Sequence, residues 1–171
     1  TSTAALWQQP SNTAPWDSQA STYFTNSSAL RFNGIDDYVE LPTSTLGNWN
    51  QLTYEAWVKA PQYTGSSWPA FIGSYTTGTA ANIQLGIWKN TSHLHFEIDT
   101  SAGSYAAEGS LSVPWNAWFH AVMVYNGSTL TEYINGVAGK SISASGNLKS
   151  VTKLRIGDMG GSDSGYSYFL N

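Results

Sequence analysis

With 171 residues, of which 41% are apolar, the chain is long enough for one domain built around a two-layer core. Charged residues make up only 11% and the net charge is −4, with seven Lys and Arg scattered from Arg31 to Arg155, so the clustered basic surface that nucleic acid requires is absent. The lack of cysteine excludes a disulfide framework, thiol catalysis and thiolate metal sites, and no apolar run approaches the ~20 residues that span a bilayer. Ser, Thr, Gly and Asn fill the deficit in charge. Such a neutral, hydroxyl-rich surface suits an extracellular or cell-surface protein, where Asn26, Asn90 and Asn126 stand in N-X-Ser/Thr triplets.

Residues 1–27 are polar and irregular, with Pro10 and Pro15, and are expected to form an N-terminal arm anchored by Trp7 and Trp16. From residue 28 onward, short β segments alternate with turn residues. Strands are expected at 29–32, 38–41, 52–59, 71–74, 83–88, 94–99, 119–125, 129–134, 140–145 and 153–157. In 52–59, Leu, Tyr, Ala and Val alternate with Thr, Glu, Trp and Lys, a period of two with one buried side. Asn126-Gly127 and Asn135-Gly136 supply the positive φ that tight hairpins need. No stretch of helical periodicity interrupts the series, so the fold expected is all-β: a two-sheet antiparallel jelly-roll sandwich over 28–171, preceded by the arm.

Four segments carry a family resemblance. Ala29-Leu-Arg-Phe-Asn-Gly-Ile-Asp-Asp-Tyr-Val-Glu-Leu-Pro42 resembles the opening strand pair of the laminin G-like branch of the concanavalin A-like lectin and glucanase superfamily. Leu52-Thr-Tyr-Glu-Ala-Trp-Val58 resembles its next core strand. Trp118-Phe-His-Ala-Val-Met-Val-Tyr-Asn-Gly127 with Leu130-Thr-Glu-Tyr-Ile-Asn-Gly136 resembles its strand, hairpin and return strand, and Leu154-Arg-Ile-Gly157 a late strand. The resemblance implies a concanavalin A-like jelly roll over roughly 29–171 and places Trp57, Trp118 and His120 in its packed framework. It also implies a further strand beyond Gly165-Tyr-Ser-Tyr-Phe-Leu-Asn171, so the domain reads as lacking the usual last strand. Either the natural chain continues past residue 171 into that strand, or the arm or a strand from another copy is expected to close the edge.

The glucanases of this superfamily carry a Glu–x–Asp–x–x–Glu strand whose outer glutamates serve as nucleophile and acid/base. Here Glu97 and Asp99 are present but the third position is Ala102, and retaining hydrolysis needs two carboxyls about 5 Å apart. The chain is therefore not expected to be an enzyme, and Glu97 and Asp99 read as solvated strand residues. His93 and His95, at i and i+2, lack a third metal ligand close in sequence. For metal, Asn33-Gly34-Ile-Asp36-Asp37 is the candidate. Asp36 and Asp37, with carbonyls of Asn33 or Gly34, form the oxygen-rich tight loop that calcium favours, and relatives hold a structural calcium near this turn. A second oxygen-rich loop, around Asp158 and Asp163, reads as solvated surface.

The aromatic content of 14%, including eight Trp, exceeds what one core needs. Indole stacks on the apolar faces of sugars while short polar side chains bind their hydroxyls. Tyr63, Trp68, Tyr75, Trp88, Tyr105 and Trp115 are the candidate ligand contacts, the Tyr63–Trp68 loop being the sharpest. The expected function is a non-catalytic carbohydrate-binding or adhesion module. The alternative is a structural subunit of an extracellular filament or surface assembly, its copies joined through the arm.

Overall fold

The computed structural model describes residues 29–41, 47–74, 83–151 and 153–158. All of these except Ala29 and Leu30 belong to the second of two compact units, Arg31–Asn171. The expected arm, Tyr75, Asp163 and the segment 165–171 lie outside the described residues. No described residue is helical.

Ten strands are present: β1 (Val39–Leu41), β2 (Leu52–Lys59), β3 (Ala70–Ser74), β4 (Ile83–Ile87), β5 (His93–Asp99), β6 (Ser104–Ser112), β7 (Trp118–Tyr125), β8 (Thr129–Ile134), β9 (Val137–Ser143) and β10 (Leu154–Ile156). They form a six-stranded sheet, β1-β10-β3-β4-β5-β6, and a four-stranded sheet, β2-β7-β8-β9. Every pairing is antiparallel. At the β8–β9 hairpin, Asn135 (φ 52°) and Gly136 (φ 78°) take the left-handed conformation expected of them.

Two expectations need correction. Residues 29–32 form no strand, and β6 was not anticipated. The sequence of β6, SYAAEGSLS, is poor in β-formers, but Tyr105, Ala107, Gly109 and Leu111 recur at every second position and face inward. Intrinsic strand propensity spans about 1 kcal/mol, whereas burying one large apolar side chain is worth about 1.5–3 kcal/mol, so packing decides.

The core lies between the sheets. Leu85, Ile87, Leu94, Phe96 and Ile98 come from one layer, and Phe119, Met123, Tyr125 and Leu130 from the other; all are fully buried. Phe71 of β3 meets Phe119 of β7 edge-on, ring centres 6.0 Å apart. In β2 the alternation turns Tyr54 and Val58 inward and Thr53, Glu55, Trp57 and Lys59 outward. Trp57 and Trp118 are thus not core residues, as the resemblance implied, but are 67% and 53% exposed. Both share a phase with polar neighbours, and the core is filled by the other phase.

Tyr54 has its hydroxyl buried with no protein partner, and burial pushes its phenol well above the ordinary value near 10. The folded state therefore holds this proton more tightly than the unfolded one. The associated stability is complete below pH ~10 and declines as pH rises further. We expect Tyr54→Phe to raise stability by about 1 kcal/mol at pH 7, by removing an unpaired buried hydroxyl, and to flatten the decline above pH 10. Urea unfolding at pH 7 and 11 checks both; destabilisation at pH 7 would mean that water pairs the hydroxyl.

Candidate functional site

On the outer face of the six-stranded sheet, cross-strand register sets out two rows of side chains. One row runs Glu40, Arg155, Gly73, Gln84, Glu97, Ala106; the next holds Ala70, Gly86, His95 and Glu108. Because the core takes Leu94, Phe96 and Ile98 of β5, the alternate residues His93, His95, Glu97 and Asp99 must emerge on this face. Small residues at 70, 73, 86 and 106 leave polar side chains standing between low positions.

The segment between β2 and β3 folds over this face. Tyr63 is buried, its hydroxyl donating to the Ser67 carbonyl at 3.1 Å and accepting from the Ser67 N–H at 3.0 Å. The Asn90 N–H donates to the Gly65 carbonyl and the Ile87 N–H to the Pro69 carbonyl, which ties the segment to β4 and its following turn. Gln84 donates through Nε2 to the Trp68 carbonyl at 3.4 Å. Gly86 leaves room for this approach, since a Cβ there would lie 2.9 Å from Ala70 Cα.

Trp68 and Trp88 are thereby brought to the same buried imidazole. The His95 ring lies 4.9 Å from Trp88, nearly perpendicular at 85°, and 6.3 Å from Trp68. Lys89 Nζ sits 4.2 Å above the Trp68 ring. His95 Nε2 is 3.4 Å from Glu97 Oε2, and His93 Nδ1 is 2.7 Å from Glu108 Oε1. Gln84 Oε1 and His95 Nδ1 are buried with no protein partner. Two β-bulges border the cluster, between Ala70 and Ile72 and between His93 and His95, where bulges commonly re-aim side chains.

Of the other expected contacts, the described ones, Tyr63, Tyr105 and Trp115, are elsewhere. Tyr63 holds its own loop. Tyr105 faces the core with its hydroxyl 3.1 Å from Ser145 Oγ. Trp115 is half-buried against the core with its indole nitrogen enclosed. The residues the sequence did not single out are Gln84, Lys89 and Glu108, and His95 was weighed there only as half of a metal pair; each is placed here by strand register or by the turn before β5. The reading of Glu97 and Asp99 as solvated is also corrected: Asp99 is buried and Glu97 largely so. Ala102, the position of the missing carboxylate, is in the turn after β5 rather than on the strand.

The Asn33–Asp37 turn is exposed and closes on itself. Asn33 Oδ1 accepts from the N–H groups of Ile35, Asp36 and Asp37, Asn33 Nδ2 donates to Asp36 Oδ1 at 2.7 Å, and the Asn33 N–H donates to Asp37 Oδ2 at 2.9 Å. Gly34 has φ 72°. Asn33 Oδ1 and one oxygen of each carboxylate accept hydrogen bonds within the turn, which leaves each carboxylate a second oxygen. Among the described residues no group of three or more His, Asp or Glu could hold a metal ion. No helix among them is long and apolar enough to cross a membrane.

A family model described as the concanavalin A-like lectin/glucanases superfamily, of the laminin G kind, matches residues 32–170. No curated protein sequence matches the chain. Among solved structures, domains LG4-5 of the mouse laminin α1 chain align with TM-score 0.63 at 12% identity, over 82% of this chain and 37% of that one. A heptameric SAP-like pentraxin from Limulus polyphemus aligns at 0.55 and 14% identity, over 81% and 69%. Domain 4 of AbnA, an extracellular arabinanase from Geobacillus stearothermophilus, aligns at 0.54 and 18% identity, over 77% and 62%. The chain thus spans little more than a third of the laminin structure, and at these identities the likeness is one of fold.

Proposed function

Because the chain belongs to the concanavalin A-like lectin/glucanases superfamily, we propose that it is a non-catalytic carbohydrate-binding module of an extracellular adhesion or recognition protein. The observation that carries this reading is the cluster on the six-stranded sheet, where Trp68 and Trp88 flank His95 beside two buried polar atoms without a protein partner, Gln84 Oε1 and His95 Nδ1. Leaving such an atom unpaired costs about 1–3 kcal/mol, so a ligand hydroxyl that reaches it gains affinity. Sugars supply hydroxyls together with apolar ring faces for indole. The domain of AbnA that shares this fold is known in complex with arabinotriose. The break in the carboxylate pattern at Ala102 supports binding without hydrolysis.

The test is a glycan array on the intact chain, followed by calorimetric titration of the best soluble oligosaccharide. Trp88→Ala and His95→Ala are each expected to weaken binding tenfold or more, in the range of an aromatic hot spot. An array without hits, or hits whose affinity ignores both substitutions, would overturn the reading.

One observation favours the assembly reading as a second possibility: among the described residues, β2 pairs only with β7, so its outer edge is open. Light scattering separates the two, since a binding module remains a monomer whereas copies joined by strand or arm exchange form concentration-dependent oligomers.

A further inference from the structure

Among the described residues, the most exposed aromatic surface lies on the opposite side from the cluster just described. On the outer face of the four-stranded sheet, Trp57 of β2 faces His120 of β7, and Lys59 faces Trp118. The Trp57 and His120 rings stack at 18° with centres 5.2 Å apart, and His120 Nε2 is 3.4 Å from Glu55 Oε2. One face of the Trp57 indole is thus braced by an imidazole that is itself held, while the side chain remains 67% exposed; Trp118, diagonal to it, is 53% exposed. Diagonal cross-strand neighbours are roughly 7–8 Å apart at their backbones, within reach of one another for rings of this size. Tyr133 lies opposite Val122 on the next strand and continues the same face.

From this geometry we infer a second polysaccharide contact, in which Trp57 and Trp118 stack on the flat C–H faces of a β-linked glycan chain while Lys59, Glu55 and Tyr133 meet its hydroxyls. Area and composition favour a sugar over a second copy of the chain. The two indoles expose on the order of 300 Å² between them, far below the ~800 Å² per partner of a stable protein interface. Interface cores are also depleted in Lys and Glu, which here flank the rings directly. A pyranose ring needs only a patch of this size and, being apolar on its faces and polar around its rim, matches charged and hydroxyl groups set around indole. A braced ring also loses little side-chain freedom on binding.

The contact goes beyond the proposed function because it engages none of the same residues, and the two fail separately. The intact chain is mixed with microcrystalline cellulose and with crystalline chitin, and the protein remaining in solution is measured. We expect depletion by at least one of them, reduced tenfold or more by Trp57→Ala and by Trp118→Ala, less by Trp57→Phe, and not abolished by Trp88→Ala. Both indoles are exposed, so melting temperatures should match the parent chain. The inference is overturned if neither solid depletes the protein, if Trp57→Ala and Trp118→Ala leave depletion intact, or if Trp88→Ala abolishes it. It is equally overturned if sedimentation shows a dimer that Trp57→Ala dissociates, which would give this face to a second copy.

Discussion

Replacing Glu132 with alanine is expected to destabilise the domain by about 3–5 kcal/mol, the largest effect of any single substitution considered. Glu132 points inward from β8 and is fully buried. Its Oε1 accepts from the Lys140 N–H at 2.9 Å, the Leu111 N–H at 3.3 Å, the Ser110 hydroxyl at 3.1 Å and, closely, the Ser110 N–H. These donors come from two β-bulges, one in each sheet. The β5–β6 register slips between His93 and His95, opposite 108–112, and the β8–β9 register between Thr131 and Tyr133, opposite 138–141. A bulge frees N–H groups from the ladder, and buried ones must be paired elsewhere. One carboxylate serves both sets and so ties the sheets together.

Alanine would strand those donors and leave a cavity. Because whole domains are stable by only about 5–15 kcal/mol, the loss should be plain as a lower urea midpoint at unchanged slope. Glu132→Gln should cost less, about 1–3 kcal/mol, since an acceptor remains while an amide donor enters a pocket in which Oε2 has no partner. Gly109→Ala and Gly139→Ala should reproduce much of the defect, as a Cβ at either would lie 2.7 Å from Glu132 Cδ. A Glu132→Ala midpoint matching the parent chain would mean that water replaces the carboxylate without cost. The same bulge sets Glu108 opposite His95, so Glu132→Ala should also weaken glycan binding at the six-stranded sheet.

How far these features could be read in the sequence differs by kind. Two sheets, the hairpin at Asn135-Gly136 and nine of the ten strands follow from alternation and turn chemistry, which are local. The alternation in 52–59 even put Trp57 among Thr, Glu and Lys; its placement in the core came from family likeness and was wrong, because likeness fixes the strand but not which phase is filled. The weak propensity of β6 hid it, although Tyr105, Ala107, Gly109 and Leu111 keep the period of two. The meeting of Trp68, Trp88 and His95 was not legible, for it depends on β4–β5 register and on a loop folded over a face. Of the expected contacts among the described residues, only Trp68 and Trp88 reach it, and what marks them apart from Tyr63, Tyr105 and Trp115 is the direction of the side chain. Glu132 gave no signal at all, since its partners, apart from the Ser110 hydroxyl, are backbone groups freed by irregularities that no residue type announces.

Arg155→Ala is expected to cost about 3 kcal/mol, with most of the loss arising at one of its two carboxylate partners. Arg155 of β10 donates through Nη1 to Asp158 Oδ2 at 2.6 Å and through Nε to Glu40 Oε2 at 3.1 Å, and its Cζ lies 3.8 Å over the Tyr38 ring. Burial alone would lower the guanidinium, but the hydrogen bonds to Asp158 and Glu40 outweigh it and hold the group above its ordinary value, so it stays charged. The partners differ in environment: the Asp158 side chain is 4% exposed and that of Glu40 48%. Losing the cation would leave the buried Asp158 uncompensated, a change worth about 3–5 kcal/mol, whereas an exposed pair contributes about 0–1 kcal/mol. Glu40→Ala should therefore shift stability by less than about 1 kcal/mol. In an Asp158→Asn background, Arg155→Ala should cost clearly less than it does alone, giving a coupling of about 1–3 kcal/mol in the double-mutant cycle. Equal costs in both backgrounds would show that Arg155 acts through Tyr38 and through β1, whose three residues all pair with β10, rather than through the buried carboxylate.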